Sequence, residues 1–123
     1  MRVFKTKAFA RFARAESIDD SQLLQAITEI SQGLIDADLG GGVIKKRLAR
    51  PGMGKSGGAR SIVAYRSSGL AVFVFGYAKN ARDDISPPEL KAYRALAREL
   101  LQIAPAPLAA AIRNGTLLEI RWS

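Results

Sequence analysis

Lysine and arginine have the most chemistry to offer in this sequence, and they are gathered rather than spread. Between Leu39 and Arg82 stand Lys45, Lys46, Arg47, Arg50, Lys55, Arg60, Arg66, Lys79 and Arg82, with no acidic residue among them. The rest of the 123-residue chain holds ten basic and eleven acidic side chains, so one contiguous third carries the whole net charge of +8. Crowded like charges repel, and a polyanionic partner is the reading that uses them; a solvated basic surface is the bland alternative.

What these cations can do depends on what is missing. The chain has no histidine and no cysteine. That removes the commonest general base and metal ligand, a thiolate nucleophile, a cysteine-based zinc site and a disulfide framework. No cofactor and no metal is expected. RNA brings its own nucleophile, the 2′-hydroxyl. Clustered cations can stabilise the charge of a pentacovalent phosphorane, and a lysine with a depressed pKa can accept the proton. DNA lacks that nucleophile, so metal-free DNA cleavage fits less well. The composition permits RNA cleavage by 2′-hydroxyl attack, and permits electrostatic binding equally well.

Other motifs weigh less. Gly54-Lys55-Ser56 ends like a Walker A loop, but Ala49 stands where that motif needs glycine, and a strand rather than a helix is expected after it. The stretch is read as a turn, with a phosphate of a larger polymer as its possible ligand. Asp19-Asp20 and Asp83-Asp84 sit where helix starts are expected and are read as caps, dipole partners or a balance for Arg82. Tyr65 and Tyr77 are read as packing residues with a polar end, and Phe73 and Phe75 as core residues sharing one spacing.

These side chains need elements to position them. Arg2–Lys5 reads as a short strand and Lys7–Ala15 as a short amphipathic helix. A second helix starts at Asp19 or Asp20 and places Leu23, Ile27, Ile30 and Leu34 on one stripe. Gly40-Gly41-Gly42 ends this helical half. Val43–Leu48, Arg60–Tyr65 and Leu70–Tyr77 read as strands, the last two as an antiparallel hairpin. Ser86-Pro87-Pro88-Glu89 is a capping box, and Ile85 with Leu90 a hydrophobic staple, for a helix ending before Pro105. Ala106–Arg113 reads as a short helix and Thr116–Trp122 as a strand. The order β-α-α-β-β-β-α with a C-terminal appendage predicts one α+β domain over residues 1–123, its helices on one side of a mainly antiparallel sheet. No apolar run approaches the ~20 residues of a membrane span, and no leader is read at the start, so a cytoplasmic chain with no membrane partner is expected.

Three segments together resemble a known family: Val43-Ile44-Lys45-Lys46-Arg47-Leu48, the block Gly54-Lys55-Ser56-Gly57-Gly58-Ala59-Arg60, and the run from Val72 through Ala78-Lys79-Asn80-Ala81-Arg82-Asp83-Asp84 to Ile85. They are similar to the RelE/HigB-like toxins of type II toxin–antitoxin systems. The resemblance implies a ribosome-dependent mRNA endonuclease that works in the ribosomal A site and leaves a 2′,3′-cyclic phosphate and a 5′-hydroxyl. It implies a cognate antitoxin, through which the complex binds operator DNA. It matches Arg60 to an arginine on the scissile phosphate, Lys79 and Arg82 to basic positions closing the aromatic strand, and Lys55 to a basic residue of the turn. Lys45, Lys46, Arg47, Arg50 and Arg66 would hold mRNA or ribosomal RNA. Asn80 stands where relatives carry arginine, and Ser86 where they carry tyrosine. A ParE-like DNA gyrase inhibitor and a non-catalytic RNA- or antitoxin-binding module are the alternatives.

Overall fold

The computed structural model describes residues 1–50, 54–79, 81–82 and 84–122, with residues 50 and 54–57 described by backbone only. Among the described residues six strands and four helices follow one another as β1 (Arg2–Thr6), α1 (Lys7–Ala15), α2 (Asp20–Ser31), β2 (Ala37–Gly40), β3 (Val43–Arg50), β4 (Gly54–Arg66), β5 (Leu70–Ala78), α3 (Pro87–Leu100), α4 (Pro105–Arg113) and β6 (Leu117–Ile120). They form one sheet in the order β2-β3-β4-β5-β1-β6. All neighbouring pairs are antiparallel except β1 beside β5. The α+β class and element order match the sequence reading, with β2 as an added strand.

The helices cover both faces rather than one. Phe9 and Ala13 of α1 and Leu23, Ala26, Ile27 and Ile30 of α2 pack with Val3, Leu48, Ala59, Val63, Ala71 and Phe73. Ala97, Leu90, Tyr93 and Leu100 of α3, with α4, pack on the opposite face against Phe4, Val43, Ile62, Ala64, Val72, Val74 and Tyr77. A sheet apolar on both sides needs both covers, which is why β5 is apolar at every position.

Local chemistry sets the boundaries. The Thr6 hydroxyl accepts the Phe9 N–H to cap α1 and donates to the Val74 carbonyl at 3.0 Å, tying the helix to β5. Asp19 caps α2 in a reciprocal capping box with Gln22. That helix stops earlier than its stripe suggested: Gly33 adopts φ +84° and Leu34 is left exposed. The three glycines after β2 do not merely interrupt the chain. Gly40, Gly41 and Gly42 all hold positive φ and turn β2 into β3. The capping box of Ser86 and Glu89 forms as expected, and Ile85 and Leu90 join one cluster.

One irregularity decides which residues reach which face. Ile62 pairs with Phe75, but Val63 pairs with Phe73, so β5 carries an extra residue at Val74. Phe73 therefore faces α1, its ring 5.0 Å from that of Phe9. Phe75 faces α3 and stacks on Tyr93 at 5.5 Å. The two phenylalanines do not share a face, and the reversal carries Tyr77 to the α3 side.

Candidate active site

Alternation along β3 and β4 sorts the basic residues. Lys45, Arg47 and Arg60 share the α3 face of the sheet, with Arg47 and Arg60 directly paired across the strands. Arg60 also pairs with Tyr77 of β5. After β5, the chain turns back and brings Arg82 over the same residue: its guanidinium carbon lies 5.4 Å from the Tyr77 ring centre and 5.9 Å from that of Phe75. Cation and ring attract through the ring quadrupole. Tyr77 thus has Arg60 as its cross-strand neighbour and Arg82 over its ring, although the Arg60 guanidinium itself is turned towards Asp36.

Each described cation here has an acidic companion from outside the basic stretch. Arg47 Nε donates to Asp36 Oδ2 at 2.9 Å, and Arg60 Nε lies 3.7 Å from the same oxygen. Lys45 Nζ is 3.4 Å from Asp84 Oδ2. Arg82 binds Glu89 with both terminal nitrogens, and its Nε donates to the Asp84 carbonyl at 3.0 Å. The repulsion expected from sequence is therefore relieved within the protein. Topology brings Asp36 in from before β2, and the Ser86 cap fixes Glu89.

The ionisation states follow from these contacts. The Arg82 hydrogen bond, helped by the Ser86 N–H, lowers the Glu89 carboxyl to about 2. In return Glu89 raises Arg82. The Ile85 N–H, with Lys45, keeps Asp84 below its ordinary value. Burial pushes the Tyr77 phenol up, and Asp84 adds to this, while Arg60 and Arg82 oppose it. Tyr77 is 4% exposed. Its hydroxyl is close enough to Asp84 to help lower that carboxyl, yet finds no hydrogen-bond partner among the described residues.

Other expected positions fall elsewhere. Lys46 points to the opposite face, where its ammonium meets Glu29 at 2.7 Å and donates to the Leu34 carbonyl at 2.8 Å. Arg66 shares the face of Arg60 but lies six residues along β4, about 20 Å at strand spacing. There it donates to the Leu101 carbonyl that closes α3. Lys79 is exposed in the turn after β5, and its N–H reaches the Gly58 carbonyl at 3.3 Å. Lys55 belongs to β4, not to a loop, and Arg50 ends β3 opposite Gly54. The side chains of both lie outside the described residues, as does Asn80. Ser86 is the N-cap of α3. Among the described residues no group of three acidic side chains could hold a metal ion.

A family model described as the RelE toxin of the RelE/RelB toxin–antitoxin system matches residues 1–120. The chain belongs to the RelE toxin family. None of the curated proteins compared matches it. As a RelE toxin it is the toxic half of a toxin–antitoxin pair, and a cognate antitoxin is its partner. Among the described residues of this RelE protein, no single helix is long and apolar enough to cross a membrane.

Sequence reasoning placed Asp84 beside Arg82 but missed its pairing with Lys45 and missed the other two carboxylates as companions of the arginines. Asp36 gave no signal, being an ordinary residue after a helix. Glu89 was legible as a cap but not as the companion of Arg82. Tyr77 and Phe75 were read as packing residues, because the reversal at Val74 that delivers them is written in pairing rather than in composition.

Proposed function

We propose that this RelE toxin cuts mRNA in the ribosomal A site by attack of a 2′-hydroxyl on the adjacent phosphorus. The observation that carries the reading is one sheet face that gathers Lys45, Arg47 and Arg60, with Arg82 brought over Tyr77, the cross-strand neighbour of Arg60. Each guanidinium there already holds or faces a carboxylate oxygen, which supports its reading as a seat for an anionic oxygen. A scissile phosphate replacing those carboxylates meets two arginines that stabilise its phosphorane charge.

In this step the 2′-oxygen bonds to phosphorus and the 5′-oxygen leaves. The 2′-hydroxyl proton passes to a base, and the leaving oxygen takes up a proton. The products are a 2′,3′-cyclic phosphate and a 5′-hydroxyl. Lys79 and Lys55 are the candidates for proton transfer, the first exposed in the turn between β5 and Arg82. Lys45, Arg47 and Arg50 contact neighbouring phosphates. The toxin acts in the cytoplasm without a cofactor, and its antitoxin carries the complex to operator DNA.

Induction followed by mapping of RNA ends tests the reading. Growth arrest, relieved by the cognate antitoxin, should accompany messages cut with 5′-hydroxyl ends, and purified toxin should cut mRNA only on translating ribosomes. Intact messages with broken DNA would identify a gyrase poison instead. Cleavage of free RNA would remove the ribosome from the mechanism. Unchanged growth would leave a binding module.

A further inference from the structure

The Tyr77 hydroxyl is the anomaly of the site. It is buried and meets no hydrogen-bond partner among the described residues, although Asp84 is near. Burying a hydroxyl without a partner costs free energy, and a phenylalanine would fill the same space without that cost. Packing explains the ring and the Arg82 cation above it; the nearby Asp84 carboxylate accounts for the oxygen only in part, since the two make no hydrogen bond.

The surroundings point to a use. Arg60 is the cross-strand partner of Tyr77, and Arg82 lies over its ring. Arg82 is itself one-third exposed and follows a turn, so a phosphate can draw it from Glu89 and uncover the ring beneath. The Tyr77 phenol, beneath Arg82 and beside the strand position of Arg60, is favoured in its neutral form by its burial and by Asp84, and a neutral phenol is a donor.

We propose that Tyr77 is a third phosphate-contacting group, its hydroxyl donating a hydrogen bond to a non-bridging oxygen of the phosphate held by Arg60 and Arg82. This rests on the nuclease reading above. The phenol keeps its proton throughout; it contributes a directed dipole as charge builds on the phosphorane.

The test compares wild type with Tyr77→Phe on ribosomes programmed with an A-site codon. Single-turnover cleavage is measured at saturating toxin, affinity is measured with a 2′-deoxy codon that cannot react, and thermal melting is followed in parallel. The expected result is a cleavage rate lower by about 100-fold, the scale of one lost oxyanion donor. Affinity should stay within about twofold, and melting should be at or above that of wild type, because the orphaned hydroxyl is gone. An unchanged rate beside an active wild type overturns the role of Tyr77 and leaves the nuclease reading standing. A loss matched by weaker affinity or lower melting also overturns it, as a structural effect. A wild type that leaves the message intact overturns both.

Discussion

Arg82 and Glu89 are joined through both oxygens of the carboxylate, and Glu89 Oε1 also accepts the Ser86 N–H at 2.8 Å. One side chain thus closes the cap of α3 and holds an arginine of the candidate site. Whatever draws Arg82 away also loosens the first turn of that helix.

The Glu89 titration checks this arrangement. Its carboxyl is lowered from 4.5 to about 2, chiefly by Arg82. The folded state favours the anion, so the stability this pair contributes is complete above the ordinary value and is lost as the pH falls from there through about 2. A carbon-13 NMR titration should find the Glu89 midpoint near 2, and Arg82→Ala should move it back towards 4.5. A midpoint that ignores Arg82 would refute the coupling.

Arg60 and Arg66 share a strand and a face but should behave differently. Arg60→Ala should reduce ribosome-dependent cleavage by about 100-fold or more and abolish growth arrest, with the circular dichroism spectrum retained. Arg66→Ala should cleave like wild type and lose about 0.3–1 kcal/mol of stability, because that side chain serves the C-terminus of α3. Primer extension and chemical denaturation separate the two. Equal loss of cleavage in both variants would mean the far end of the sheet takes part.

Lys46 should matter for folding rather than for RNA. Its side chain is 5% exposed and that of Glu29 14%, so removing one partner strands a largely buried charge. Lys46→Ala should cost about 3–5 kcal/mol in urea denaturation. The double variant Lys46→Met with Glu29→Leu should recover much of that loss. RNA affinity of the folded protein should not change.

Gly76 tests the packing on this same face of the sheet. A Cβ at this position would overlap the ring of Phe12, which lies against β5 there. Gly76→Ala should destabilise by about 1–3 kcal/mol through overpacking. Melting temperature reads this directly, and an unchanged value would show that Phe12 can move aside.

The legible parts of this fold were those specified by neighbours in sequence. The Ser86–Glu89 box, the Phe9 and Leu23 stripes and the Leu70–Tyr77 strand each signal themselves within a few residues. What stayed hidden depended on distant partners. Ala37–Gly40 has little strand character of its own and becomes β2 by pairing with Val43–Lys45. The face of Phe75 depends on an extra residue in pairing, and the Lys46 side chain is taken up by Glu29 of α2. The basic stretch and Asp84 were legible as material for the candidate site, while the pairing of Asp36 and Glu89 with its arginines could be found only in three dimensions.

Asp36, Asp84 and Glu89 are, in effect, tethered counter-ions. A nucleic acid that displaces free salt ions gains their entropy of dilution, and this gain makes such binding steeply salt-dependent. Displacing a carboxylate fixed to the same protein frees no anion and leaves that carboxylate to take up a cation, which offsets part of the release of cations from the nucleic acid. Affinity at this face should therefore fall with salt less steeply than its count of lysines and arginines suggests. If the proposed RNA role holds, the same restraint should weaken casual attachment to passing RNA and favour a phosphate presented firmly enough to take the carboxylates' place.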